Sequence, residues 1–153
     1  MKLIIDDKEL VIIEKVKKIF NYFRQDTLEK NEAGGILLGQ INKDSILITR
    51  ASIPNKKDKA DRYDFIRDKT MAQHIIDYEF ANSNGKTLYL GEWHTHPANI
   101  ASPSGVDKKM INDQFAKNKI HTDFLLLIIL GLKKDYIASY NGKKLKLLAN
   151  NLL

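Results

Sequence analysis

The stretch Gly91-Glu92-Trp93-His94-Thr95-His96-Pro97 carries the decisive reading of this chain. Thr87 to His96 reads as a β-strand, and Pro97 is placed to end it. Side chains two apart on a strand leave the same face, so His94 and His96 can both reach one ion. Trp93 lies between them and is expected on the opposite face, packed in the core, whereas Glu92 is read as a structural residue. A His-x-His pair by itself is more often an ordinary pair of strand residues, so the residues after Pro97 carry more weight.

Immediately downstream, Ser102-Pro103-Ser104-Gly105-Val106-Asp107 leads into a helix expected over Ser104 to Lys117. Ser104 and Asp107 have the spacing of a capping box, in which hydroxyl and carboxylate satisfy the first turn's free N–H groups. The same placement projects Asp107 back toward the histidines as a third ligand. A hydrolytic zinc site needs about three protein ligands plus an open position for water. Ser104 would then stand beside the ion with its hydroxyl free to donate.

Working outward, Lys2 to Ile5 reads as a short strand, and Lys8 to Arg24 as an amphipathic helix with Leu10, Ile13, Val16, Phe20 and Phe23 along one stripe. Gly34 to Ile41 and Ser45 to Ile53 are predicted strands joined at Asn42-Lys43-Asp44. Pro54 to Asp61 is polar and predicts an exposed loop, followed by a short strand around Tyr63, Phe65 and Arg67. A second helix is expected over Asp68 to Ala81, stopped by Asn82-Ser83-Asn84-Gly85. Phe124 to Leu130 is a continuous apolar run suited to a strand buried on both faces. Tyr136 to Tyr140 and Lys144 to Leu148 are predicted strands, and Asn141-Gly142 between them signals a type I′ turn. These elements predict one α+β domain over residues 1–153, with a central, mainly antiparallel, curved sheet flanked by about three helices.

Composition narrows the chemistry. The absence of cysteine excludes disulfides, thiolate metal ligands and a cysteine nucleophile. The longest apolar run is far shorter than the roughly 20 residues of a membrane span, and acids interrupt the N-terminal run too early for a signal peptide. A cytoplasmic protein without a membrane partner is the expectation. The net charge of +6 is spread among dispersed lysines, so a solvated basic surface is favoured over a nucleic-acid partner. His74 and His121 are available as a fourth ligand, although surface or capping roles suit them better. Asn99 and Ser102, in the loop between the ligands, are candidate substrate-binding residues. Gly34 and Gly35 either admit a substrate backbone or mark a bulge.

The pattern His-x-His-x7-Ser-x2-Asp formed by His94, His96, Ser104 and Asp107 resembles the signature of the JAMM metalloproteases, also called JAB or MPN-plus. Glu32-Ala33-Gly34-Gly35-Ile36-Leu37-Leu38-Gly39 is similar to that family's upstream segment, with Glu32 in the acid position. The resemblance implies one Zn²⁺ per chain held by His94, His96 and Asp107. It also implies that Glu32 acts as general base and then acid, and that Ser104 stabilises the oxyanion. The substrate implied is a conjugated or ubiquitin-like protein whose extended C-terminal tail lies in a groove beside the metal.

Gly91 to Pro97 followed by Pro103-Ser104 further resembles the deconjugases of bacterial CBASS antiphage operons, which are encoded beside ubiquitin-activating-like and ubiquitin-conjugating-like partners. On that resemblance, the expected reaction releases a nucleotidyltransferase from its targets by cutting at its C-terminus. Alternatives are a peptidase that processes a sulfur-carrier or ubiquitin-like precursor, and a non-catalytic scaffold of the same fold. The scaffold is disfavoured because every ligand position, Glu32 and Ser104 are present.

Overall fold

The computed structural model describes residues 2–152; Met1 and Leu153, included in the expected domain range, lie outside the described residues. Ten strands and three helices are present among them: β1 (Leu3–Ile5), β2 (Lys8–Ile12), α1 (Glu14–Phe23), β3 (Gly34–Ile41), β4 (Ser45–Ala51), β5 (Lys59–Ala60), β6 (Phe65–Ile66), α2 (Lys69–Asn82), β7 (Leu88–Thr95), α3 (Gly105–Lys117), β8 (Leu125–Leu130), β9 (Tyr136–Tyr140) and β10 (Leu145–Ala149). Eight strands form one sheet in the order β1-β2-β4-β3-β7-β8-β9-β10, while β5 and β6 make a separate two-stranded ribbon. Only the β2–β4 and β7–β8 pairs are parallel, so the sheet is mainly antiparallel and the class α+β, as expected.

The sheet is covered on both faces. On one side, Val16 and Phe20 of α1 pack with Leu37, Ile48, Leu90, Trp93, Leu126 and Ile128. On the other, Ile111 of α3 meets Leu125, Leu127 and Ile129, and Ala72 of α2 meets Ile36 and Leu38. Strand β8 divides its six side chains between these two cores, and all six are fully buried, as its unbroken apolar run predicts. Burying each such side chain contributes about 1.5–3 kcal/mol before chain entropy is set against it.

Three expectations need correction. Residues 8–12 form a strand, not the start of a helix. Leu10 and Ile12 turn inward with period two, while Val11 is exposed and pairs in parallel with Leu47. The helical stripe is real only from Ile13 onward; Leu10 fell on it by coincidence, and the β-branched run Val11-Ile12-Ile13 favours extended backbone. The loop expected through Asp61 contains β5, which pairs with β6. The last hairpin does not use a type I′ turn at Asn141-Gly142. The Asn141 N–H meets the Lys144 carbonyl, so Gly142 and Lys143 are the central residues, and of these only Gly142 has positive φ. The Asn141 side chain accepts from the N–H groups of Lys143 and Lys144.

Strand β7 is irregular at one point with large consequences. Leu37 pairs with Gly91 but Leu38 with Tyr89, leaving Leu90 as the extra residue of a bulge. Past the bulge, Leu90 and Trp93 share the α1 core although three apart in sequence. Tyr89 and Glu92 correspondingly share the other face, where they hydrogen-bond. Gly91 has φ of 152°, and an added Cβ would lie 2.1 Å from the Leu126 carbonyl oxygen. Gly91→Ala should therefore destabilise the protein by about 1–3 kcal/mol in urea unfolding, the usual cost of overpacking a closed site. A loss under about 0.5 kcal/mol, the range of an indifferent surface change, would show that the bulge has room to relax.

Candidate metal centre

The end of β7 and the start of α3 converge on one point. His94 Nε2 lies 3.1 Å from Asp107 Oδ1, His96 Nε2 lies 3.2 Å from Asp107 Oδ2, and the two Nε2 atoms are 3.2 Å apart. An ion bound tetrahedrally at about 2.0–2.1 Å would separate its ligand atoms by about 3.3 Å, so the spacing fits a divalent metal. Two imidazole nitrogens and a carboxylate around an open position are also the donor set that such chemistry uses. His94, His96 and Asp107 are the group able to hold a metal ion among the described residues, and neither His74 nor His121 belongs to it. His74 is exposed on α2, and the His121 ring stacks on Phe80 with centroids 5.3 Å apart.

The local fold explains why Asp107 points this way. Ser104 is the N-cap of α3: its Oγ accepts from the Asp107 N–H, while Asp107 Oδ2 accepts from the Ser104 N–H. The capping box and the ligand reading of Asp107 are therefore both satisfied by one conformation. The Ser104 hydroxyl accepts in this box, so its own proton is free to be donated elsewhere.

Glu32 reaches the site from the segment before β3, with Oε1 3.6 Å from His96 Nε2. Its backbone N–H is held by the Asp61 carbonyl. The next residue, Ala33, bonds Thr95 twice, donating to its Oγ1 and accepting from its N–H. Thr95 donates in turn to Gln25, whose amide also holds the carbonyls of Lys30 and Arg62. Gln25 and Thr95, buried polar residues with no sequence signal of their own, thus lock the approach of Glu32 to β7. The glycine pair after Glu32 serves packing. A Cβ on Gly34 would meet the Phe65 ring at 2.8 Å, and one on Gly35 would meet the Ser52 Oγ at 2.3 Å.

A cavity of about 750 Å³ opens over these side chains, lined by Glu32, His94, His96, Ser104 and Asp107 together with Phe65, Ile66, Val106 and Met110. Asn99 and Ser102 are exposed and do not line it; the Asn99 carbonyl instead accepts from the N–H groups of Lys133 and Lys134. Trp93 is buried toward α1, as expected, with its indole N–H on the Ser52 carbonyl. Glu92 is indeed structural in being ion-paired with Arg67, but it also faces the same cavity as the histidines.

Charge is unevenly tolerated here. Burial pushes the Glu32 carboxyl up to about 7, helped by the charges of Asp107, Asp64 and Asp61 and opposed by His96. Burial also disfavours the ionised Asp107, but hydrogen bonds from His94, His96 and the Ser104 N–H outweigh it and hold this carboxyl well below the usual range. The metal-free folded state therefore keeps a proton on Glu32 that the unfolded chain loses above about 4.5, and stability falls as pH rises from there to about 7. Glu32→Gln should raise the melting temperature of the chelator-treated protein at about pH 8 and change it little at about pH 5. Equal shifts at both values would mean that the site does not penalise a charge on Glu32.

Comparison with known proteins agrees with this architecture. Residues 18–141, which contain all five side chains, match the family described as prokaryotic homologs of the JAB domain. A protein of Escherichia coli (strain TW11681) named CD-NTase/cGAS isopeptidase is 33% identical over 140 residues, covering 92% of this chain and 85% of its own. A Pseudomonas aeruginosa protein of the same name is 33% identical over 139 residues, with coverage of 89% and 87%. The solution structure of a Desulfitobacterium hafniense protein superposes with a TM-score of 0.58 at 24% identity, over 90% of this chain and 88% of that one, a likeness of fold. With strands β3 to β9, helices α2 and α3 and the site at the end of β7 all inside the matched span, this chain belongs to the family of prokaryotic JAB-domain proteins.

Proposed function

We propose that this protein is a zinc-dependent isopeptidase that frees a nucleotidyltransferase from a conjugate by hydrolysing the bond after its C-terminal tail. The observation that carries the reading is the convergence of His94, His96 and Asp107, with Glu32 and Ser104 lining the same cavity. The substrate is taken from the relatives named CD-NTase/cGAS isopeptidase, which favour a nucleotidyltransferase tail over a sulfur-carrier precursor.

Zinc held by the two imidazoles and Asp107 would supply Lewis-acid polarisation and bring the pKa of water toward about 7. The chain's own groups do the rest. Glu32, held beside His96 in the same cavity, accepts a proton from the attacking water and passes it to the lysine ε-amine as the C–N bond breaks. That amine leaves poorly unless protonated, so one side chain serves both transfers. The Ser104 hydroxyl donates to the carbonyl oxygen as it gains negative charge. Phe65, Ile66, Val106 and Met110 give the cavity an apolar wall that limits water beside the reacting bond.

Metal analysis of the purified protein after zinc loading should give one equivalent, lost in both His94→Ala and Asp107→Ala. Glu32→Ala should keep its zinc yet lose cleavage of a nucleotidyltransferase conjugate. Ser104→Ala should lower kcat by about 10²–10³-fold, as for other single oxyanion donors. A wild-type protein that takes up no zinc would end the hydrolase reading.

A further inference from the structure

The cavity over the metal centre does not stop at the apolar wall. A second cavity, about 590 Å³, lies between α2 and α3 and includes Ile76, Phe80, Tyr89, Lys117 and His121. The two share Arg67, Lys69 and Gln114, so one groove continues from the metal centre between the helices, and Arg67 sits where the two cavities meet.

Arg67 is held with unusual firmness for a groove residue. It lies between β6 and Asp68, the N-cap of α2. Its Nε donates to both Glu92 carboxylate oxygens at 3.0 Å, and its Nη2 donates to Oε1 at 2.6 Å. The Tyr89 hydroxyl donates to the same Oε1 at 2.8 Å. Side-chain exposure is 5% for Glu92 and 16% for Arg67. Only one edge of the guanidinium is used by this side-on grip; among the described residues Nη1 has no hydrogen-bond partner.

A fixed N–H donor where the mainly apolar cavity of the metal centre meets the more polar α2–α3 cavity selects a particular acceptor. Glu92 already balances the charge of Arg67, so the pair offers little net attraction for a carboxylate or phosphate. What remains is a well-oriented hydrogen-bond donor, suited to a neutral carbonyl. An extended polypeptide presents such an acceptor at every residue, whatever its sequence. Resting on the isopeptidase reading for the identity of the ligand, we infer that Arg67 is a substrate-binding residue. Its Nη1 takes a main-chain carbonyl of the tail where the tail passes from the α2–α3 cavity into the cavity of the metal centre. Glu92 and Tyr89 hold the guanidinium in place. The tail is thus read by reach more than by sequence: one too short to arrive at Arg67 forgoes this hydrogen bond.

The test uses the zinc-loaded protein and a lysine isopeptide bearing a fluorophore, with the tail of a cGAS-like nucleotidyltransferase shortened one residue at a time. Arg67→Lys should raise KM about tenfold or more for long tails, since a lysine cannot keep both the Glu92 grip and the outward donor. kcat should change far less, and the zinc content should stay at one equivalent. Below a threshold tail length, wild type and variant should become equal in kcat/KM. Removing Arg67 alone strands a buried carboxylate, so the paired variant Arg67→Met with Glu92→Gln keeps the volume without the charge and should show the same KM defect in a folded protein.

Calorimetry with the free tail peptide reads Arg67 independently of cleavage. Arg67-dependent binding without cleavage would spare this inference and overturn the hydrolase reading. An unchanged KM, a loss confined to kcat, a defect independent of tail length, or no binding of the longest peptide would overturn the inference.

Discussion

The structure depends on the hydrogen bonding of β7 between an antiparallel neighbour, β3, and a parallel one, β8. Because β3 runs the opposite way, its beginning meets the end of β7: Gly34 stands across from His94, and Glu32, two residues earlier, arrives beside His96. Because β8 runs the same way, the His96 N–H continues the ladder to the Leu130 carbonyl. Helix α3 docks on β8 through Ile111, which sets the height at which Asp107 faces the histidines. The β3, β8 and α3 segments thus meet at one end of one strand, and a register slip of one residue would turn the histidines into the opposite core.

Several residues satisfy two requirements at once. Asp107 caps the first turn of helix α3, and the hydrogen bonds of the cap hold its oxygens toward the imidazoles, where the three side chains could hold a metal ion. The Leu90–Gly91 bulge likewise lets a tryptophan enter the α1 core while Glu92 and His94 stay on the cavity side. The cost appears as buried charge. Glu32 is kept where burial opposes its ionisation, and Glu92 is tolerable only because Arg67 and Tyr89 surround it. Away from the site, Arg24 and Asp135 form another ion pair, half-buried; the Asp135 carboxylate also accepts from the Gly131 and Leu152 N–H groups, tying α1 to the β8–β9 turn and the segment after β10. Such pairs stabilise little beyond what an apolar pair would, but each becomes expensive when one member is lost.

That His94, His96 and Asp107 could come together was legible because it depends on local geometry, while reading them as metal ligands rested on the family resemblance. Two residues apart on a strand means one face, and three residues apart at a helix start means a capping box, whatever the rest of the chain does. The unbroken run of β8 and the stop after α2 were readable for the same reason. The Gly85 N–H bonds the Phe80 carbonyl and the Asn84 N–H the Ala81 carbonyl, and the left-handed residue that such a stop requires is Asn84, with a φ of 55°, just ahead of Gly85. Residues 8–12 were misread because five residues contain too few turns to separate a helical stripe from a strand. Parallel pairing with β4, which decided the matter, lies some thirty-five residues downstream.

What the sequence determined by itself, then, is that two histidines and an aspartate able to hold a metal share one site, which strand and helix bear them, and the α+β class, since each follows from periodicity and capping within a few residues. Tertiary structure alone decided which strands are neighbours, and hence that Gln25 and Thr95 brace Glu32, that Gly34 and Gly35 make room for Phe65 and Ser52, and that Arg67 closes on Glu92. Contacts of this kind join residues seventeen to seventy positions apart in the chain. They form only when burial of the two cores brings distant segments together, and no local pattern of side chains encodes that choice.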